Sequence, residues 1–118
     1  MKYLCLVYLE EGLFGTLSAE QKERLDTDSL AYDRLLEAKG KLIAAEALQS
    51  VTSARAVKRR DGRRLVTDGP FAETKEQLIG FILIDAGDME EALDLASHIP
   101  LAAMGQVEVR PIYDIPGA

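Results

Sequence analysis

From residue 3 to residue 9 the chain is apolar at every position. In an extended chain Tyr3, Cys5, Val7 and Leu9 fall on one face and Leu4, Leu6 and Tyr8 on the other. A strand apolar on both faces is covered from both sides, so residues 2 to 9 predict a central strand. Residues 79 to 85, Ile-Gly-Phe-Ile-Leu-Ile-Asp, repeat the pattern and predict a second central strand. Between them the period changes from two to helical. Leu25, Ser29, Tyr32 and Leu36, with Leu35 beside the last, trace one helix face. Asp26, Asp28, Asp33 and Arg34 are then its solvated side. Ser18-Ala19-Glu20-Gln21 has capping-box spacing and starts this helix near Ala19, and Gly40 is the expected left-handed stop.

Residues 41 to 48 read as a further strand with one charged member, Glu46. Two extended runs, Ala54 to Arg60 and Arg63 to Thr67, flank Asp61-Gly62, which is a hairpin signal because both turn positions favour positive φ. Asp88 caps a second helix whose stripe is Met89, Ala92, Leu93 and Ala96, and which ends before Pro100. A turn at Gly105 leads into a last strand over 107 to 113, where Pro111 lacks the N–H a central ladder needs and so predicts a sheet edge.

The order strand, helix, strand, inserted hairpin, strand, helix, strand predicts an α+β, ferredoxin-like βαββαβ fold. Right-handed crossovers put both helices on one face of the sheet. The central strands are apolar on the other face too, and only the hairpin remains to cover it. A second copy packed sheet to sheet is the economical cover, so the expected assembly is a homodimer, a dimeric α+β barrel.

Composition narrows the function classes. The 118 residues suit one domain spanning 1–118, and 14 Lys and Arg against 20 Asp and Glu give a net charge of −6. That balance works against phosphate backbones and anionic lipid, so no nucleic acid and no membrane partner is expected. Glu10 and Glu11 end the first apolar run well short of a signal or membrane segment, which predicts a cytoplasmic protein. One His and one Cys offer no metal-ligand spacing, and no Gly-rich phosphate loop or nucleophile elbow occurs. No cofactor is expected. The cluster Lys58, Arg59, Arg60, Arg63 and Arg64 reads as edge-strand charge that discourages aggregation rather than as an anion patch.

The candidate chemistry gathers around the loop Asp68-Gly69-Pro70-Phe71-Ala72-Glu73-Thr74-Lys75-Glu76. Asp68 could fix the turn through backbone N–H bonds, or serve as a general base or polar anchor. Phe71 reads as a plug into the core or dimer seam, and Glu73 and Lys75 as a compact charged set that is either solvated or receives a polar ligand. His98 is the only histidine and could pair with Asp68 in proton transfer, although the helix dipole and Asp94 four residues earlier explain it as a surface residue. Glu46 and Arg110 are charges inside apolar strands, so an ion pair across the interface, or a site completed by Tyr8, is expected of them.

The loop motif, together with Glu46-Ala47-Leu48-Gln49, Gly80-Phe81 and Val107-Glu108-Val109-Arg110-Pro111, resembles the DGPF branch of the YCII-related family over nearly the whole chain. The resemblance implies the dimeric ferredoxin-like fold, a site between sheet and helices, and an accessory role beside extracytoplasmic-function sigma factors. It also implies a His and Asp pair for acid-base work. Ser29 and Ile99 stand at those two positions here, so that pair is missing. Two functions follow: a dimer that binds a small polar molecule or a regulatory protein through the Asp68 loop, or a cofactor-independent enzyme with Asp68 as general acid/base.

Overall fold

The structure, a computed structural model, describes residues 1–118. Its elements are β1 (Lys2–Glu10), α1 (Ala19–Ala38), β2 (Leu42–Ala47), β3 (Arg55–Arg60), β4 (Arg63–Asp68), β5 (Glu76–Asp85), α2 (Met89–Ser97) and β6 (Gln106–Pro111). Short 3-10 turns lie at Leu13–Thr16, Val51–Ser53 and Pro100–Ala103. The main sheet has the order β2-β5-β1-β6, antiparallel throughout, which is the ferredoxin-like arrangement. β1 and β5 are central, as their two apolar faces require, and Pro111 lies on edge strand β6.

Local signals act where the sequence puts them. Ser18 Oγ accepts from Gln21 N at 3.1 Å while Gln21 Oε1 accepts from Ser18 N at 2.8 Å, a closed capping box. Asp88 Oδ1 accepts from Glu91 N at 2.9 Å. Asp61 and Gly62 both have positive φ, 51° and 73°, the turn that matches strand twist in a two-residue hairpin. β5 begins three residues earlier than its apolar run, because Leu9 and Glu10 of the long β1 pair with Gln77 and Glu76. On α2 the stripe turns slightly: Leu93 is exposed and Leu95 packs on the core instead.

The core lies between one face of the sheet and the two helices. Tyr3, Cys5 and Val7 of β1, Ile82 and Ile84 of β5, Leu36 of α1 and Ala92 and Ala96 of α2 form it. Burial pushes the Cys5 thiol up to about 11, so it stays protonated and inert. The opposite face is built in rows: Leu4 between Leu83 and Arg110, Leu6 between Phe81 and Glu108, Tyr8 between Leu78 and Gln106. The hairpin does not cover these rows. It forms its own two-stranded sheet, and β3 and β4 pack mainly on each other. Its strands are solvent-exposed, and Lys and Arg occupy half of their positions.

Candidate functional site

A cleft of about 810 Å³ opens between α1 and the helix-side face of the sheet. Its floor is Val7 and Leu9 of β1, Ala45 and Ala47 of β2, and Gln77 and Ile79 of β5. Leu25, Ser29 and Asp33 of α1 form its roof, and Phe14, Val51 and Leu101 from the three 3-10 turns close its ends. Two sequence features make the room. Alanines and Gly80 on β2 and β5 leave the floor shallow, and of all α1 side chains only Leu36, near the C-terminal end, is fully buried. A β-bulge at Leu78–Gly80, opposite Val7 and Tyr8, shifts the register of β5 beside the floor.

The lining is mostly apolar, with 15 hydrophobic residues among 27. Nine of the others are polar, five of them acidic. Asp33, assigned by spacing to the solvated side of α1, is half-buried in the cleft, and burial raises its carboxyl above the ordinary carboxylate range. Asp26, assigned to the same side, lines the rim. The signal was present: Leu25, Ser29 and Asp33 follow one another at i, i+4 spacing and therefore share a face. Gln77 is 8% exposed, and its Nε2 donates to Thr74 O at 2.9 Å. It too was missed, because the strand extends beyond its apolar run.

The residues expected from sequence are placed differently. Asp68 ends β4 with its side chain 91% exposed, and its Oδ1 accepts from Arg55 Nε at 3.2 Å across the open end of the hairpin. It takes no backbone N–H bond, so it does not fix the turn that way; Gly69 does so, with φ 85° and its N–H donating to Ala54 O at 2.7 Å. His98 caps α2, with Nδ1 2.8 Å from Asp94 O. Neither Asp68 nor His98 lines the cleft, and they make no bond to each other. Phe71 is 94% exposed and is therefore no core plug. Glu73 is exposed.

Glu46 and Arg110 belong to opposite edges of the sheet, on β2 and β6, and lie three strand spacings apart, roughly 14 Å. They form no ion pair within the chain. Glu46 lines the cleft from β2, while its side of the strand, opposite Phe81, belongs to the open face. Tyr8 and Lys75 do come together, around a shallow pocket of about 380 Å³ shared with Glu76 and Gln106. There Gln106 Nε2 donates to Glu76 Oε1 at 2.9 Å and Glu76 Oε2 is enclosed without a partner. No group of three or more His, Cys, Asp and Glu residues is arranged to hold a metal ion, and no helix is long and apolar enough to cross a membrane.

The exposed Asp68–Arg55 pair predicts how Asp68 responds to mutation. Asp68→Asn should change unfolding free energy by less than about 0.5 kcal/mol in denaturant melts, since screened surface pairs contribute little. A loss above about 1 kcal/mol would show that the loop leans on this carboxylate.

Ser29 and Ile99, which stand at the positions of the family's implied acid-base pair, both line the cleft, so the cavity occupies that place with different chemistry. A family model described as the YCII-related domain matches residues 1–116. The chain is also 41% identical over 114 residues to an uncharacterized protein of Rhizobium meliloti (strain 1021), covering 95% of this chain and 92% of that relative. A match that takes in every element described above, from β1 to β6, settles the family: the chain belongs to the YCII-related proteins.

Proposed function

We propose that this protein is a cytoplasmic, homodimeric binding protein for a small molecule with an apolar body, held in the cleft between α1 and the sheet. The cleft carries the reading. It is large enough for a metabolite of ordinary size, and its walls are mostly apolar with polar groups set among them, as is usual for ligand sites. The expectation of a polar ligand at the Asp68 loop is thereby moved to a mainly apolar ligand under α1. Turnover has less support, because neither Asp68 nor His98 reaches the cleft.

Accessible surface supports the dimer. The chain exposes 8562 Å², against about 6,300 Å² for a typical monomer of 13.0 kDa. Only 13 of 118 residues are buried, and the rows Leu4, Leu6, Leu78, Phe81 and Leu83 on the face away from the helices are only half-buried. A second copy would cover them, and opposite charges at the two edges, Glu46 and Arg110, suit self-complementary packing.

The chain has no Trp, so an indole probe can be followed by its own fluorescence. Neutral 3-methylindole should bind the wild type, and Ser29→Phe, which places a ring in the cleft, should weaken it at least tenfold with the circular dichroism spectrum unchanged. Equal affinity in both proteins would sink the cleft as the binding site.

A further inference from the structure

The charged residues lining the cleft are Glu10, Glu11, Asp26, Asp33 and Glu46; no Lys, Arg or His is among them. Strand alternation turns Glu10 and Glu46 toward the open face, opposite Glu76 and Phe81, while Glu11 and Asp26 are exposed at the rim. Asp33 is therefore the half-buried charge inside. It has no ion-pair partner and makes no hydrogen bond within the chain, so its carboxylate is free to take a ligand from the cleft. Four residues earlier on the same helix face, the Ser29 hydroxyl is also without a protein partner.

The second observation is independent of the acids. Gln77, more than nine-tenths buried on the cleft floor, commits its Nε2 to Thr74 O. A carbonyl needs a donor, so the amide cannot be flipped, and Oε1 is left as an acceptor. Nothing in the chain donates to it, and Gln77 lines the cleft. The roof and floor thus offer a carboxylate, a hydroxyl and an amide oxygen, but no cationic donor.

Resting on the cleft as the binding site, we propose that its ligand is an organic cation, an apolar body of about the size of a fused ring system carrying a primary ammonium. Asp33 receives the charge, and Ser29 Oγ and Gln77 Oε1 accept the remaining N–H bonds. An ammonium has donors and no acceptor, which is the complement of this set. A carboxylate or phosphate ligand would meet like charge and no donor from Lys, Arg or His. Burial raises the Asp33 carboxyl above the ordinary carboxylate range, and a cation bound beside it would favour its charged form.

Three probes that share the indole ring and differ in charge test this: tryptamine, 3-methylindole and indole-3-propionate, followed by fluorescence anisotropy at neutral pH and low salt. Tryptamine should bind at least tenfold more tightly than indole-3-propionate, and Asp33→Asn should reduce that ratio at least threefold. The net charge of −6 favours any cation weakly, so Glu90→Gln, an equal charge change on exposed α2, is the control and should leave the ratio within a factor of about 1.5. Binding of all three probes with no cation preference, or an equal fall in Glu90→Gln, would overturn the cation inference and leave the cleft standing as a site. Binding of none would overturn both.

Discussion

Gly105→Ala is expected to destabilise the protein by about 3 kcal/mol, near the upper end for overpacking, because the new methyl group meets backbone. Gly105 follows the 3-10 turn Pro100–Ala103 and precedes β6, where Gln106 opens the ladder with Tyr8 of β1. A Cβ at Gly105 would fall inside the van der Waals envelope of Tyr8 O and lie 3.2 Å from Leu9 Cα. A side chain could swing away from such a clash, but a central strand cannot. Relief would require β6 to lift from β1 or the 105 N–H to leave Leu101 O, which it reaches at 2.9 Å. The expected fall in Tm is roughly 12 °C, at about 4 °C per kcal/mol for a chain of this size. A fall under 3 °C in calorimetry would mean that the turn is looser than its hydrogen bonds indicate. Gly87→Ala is a fitting control, since a methyl group there meets nothing within 4 Å.

The second large effect concerns assembly. Leu6→Glu should convert the proposed dimer into a folded monomer and raise its dissociation constant by 10³ or more. Leu6 is in the middle of the open face, with Phe81 on one side and Glu108 on the other. A carboxylate there would be buried without a cation and beside a like charge, a cost of several kcal/mol. In the single chain the same position meets solvent, so the fold itself should tolerate the change. Light scattering at micromolar concentration gives the first readout. The second is the melting temperature, which for a dimer rises with protein concentration and for the variant should not. A wild type that runs as a monomer, or a Leu6→Glu protein that stays dimeric, would remove the sheet-to-sheet arrangement from consideration. The basic hairpin is separate from this test: it projects from the body, and Val57 and Phe71 are exposed along it and beside its base.

The elements and their order were legible because each is written in local chemistry. The continuous apolar runs of β1 and β5, the Ser18 capping box, the Asp61-Gly62 turn and the Pro111 edge are properties of a few neighbouring residues, and each acts as such signals do. The two apolar faces of β1 are likewise a local property, and they are the sequence ground for proposing a second copy as the cover of one face.

The site was less legible because a cavity is the space that several elements leave between them, and no local pattern encodes that. Asp33 reads as a solvated charge on a helical wheel, yet α1 carries it over a floor of alanines that lets the cleft exist. Gln77 reads as loop until the length of β1 draws it into the ladder and the bulge at Leu78–Gly80 follows it in the register. Asp68, His98 and Arg110 stand out in the sequence as polar residues in suggestive company, but the fold sends them to a hairpin end, a helix cap and a sheet edge. Residue types and periods therefore determined the strands, helices, turns and sheet order. Only tertiary packing decided which charged groups lose water, because that depends on what lies opposite a side chain across the core and not on its neighbours along the chain.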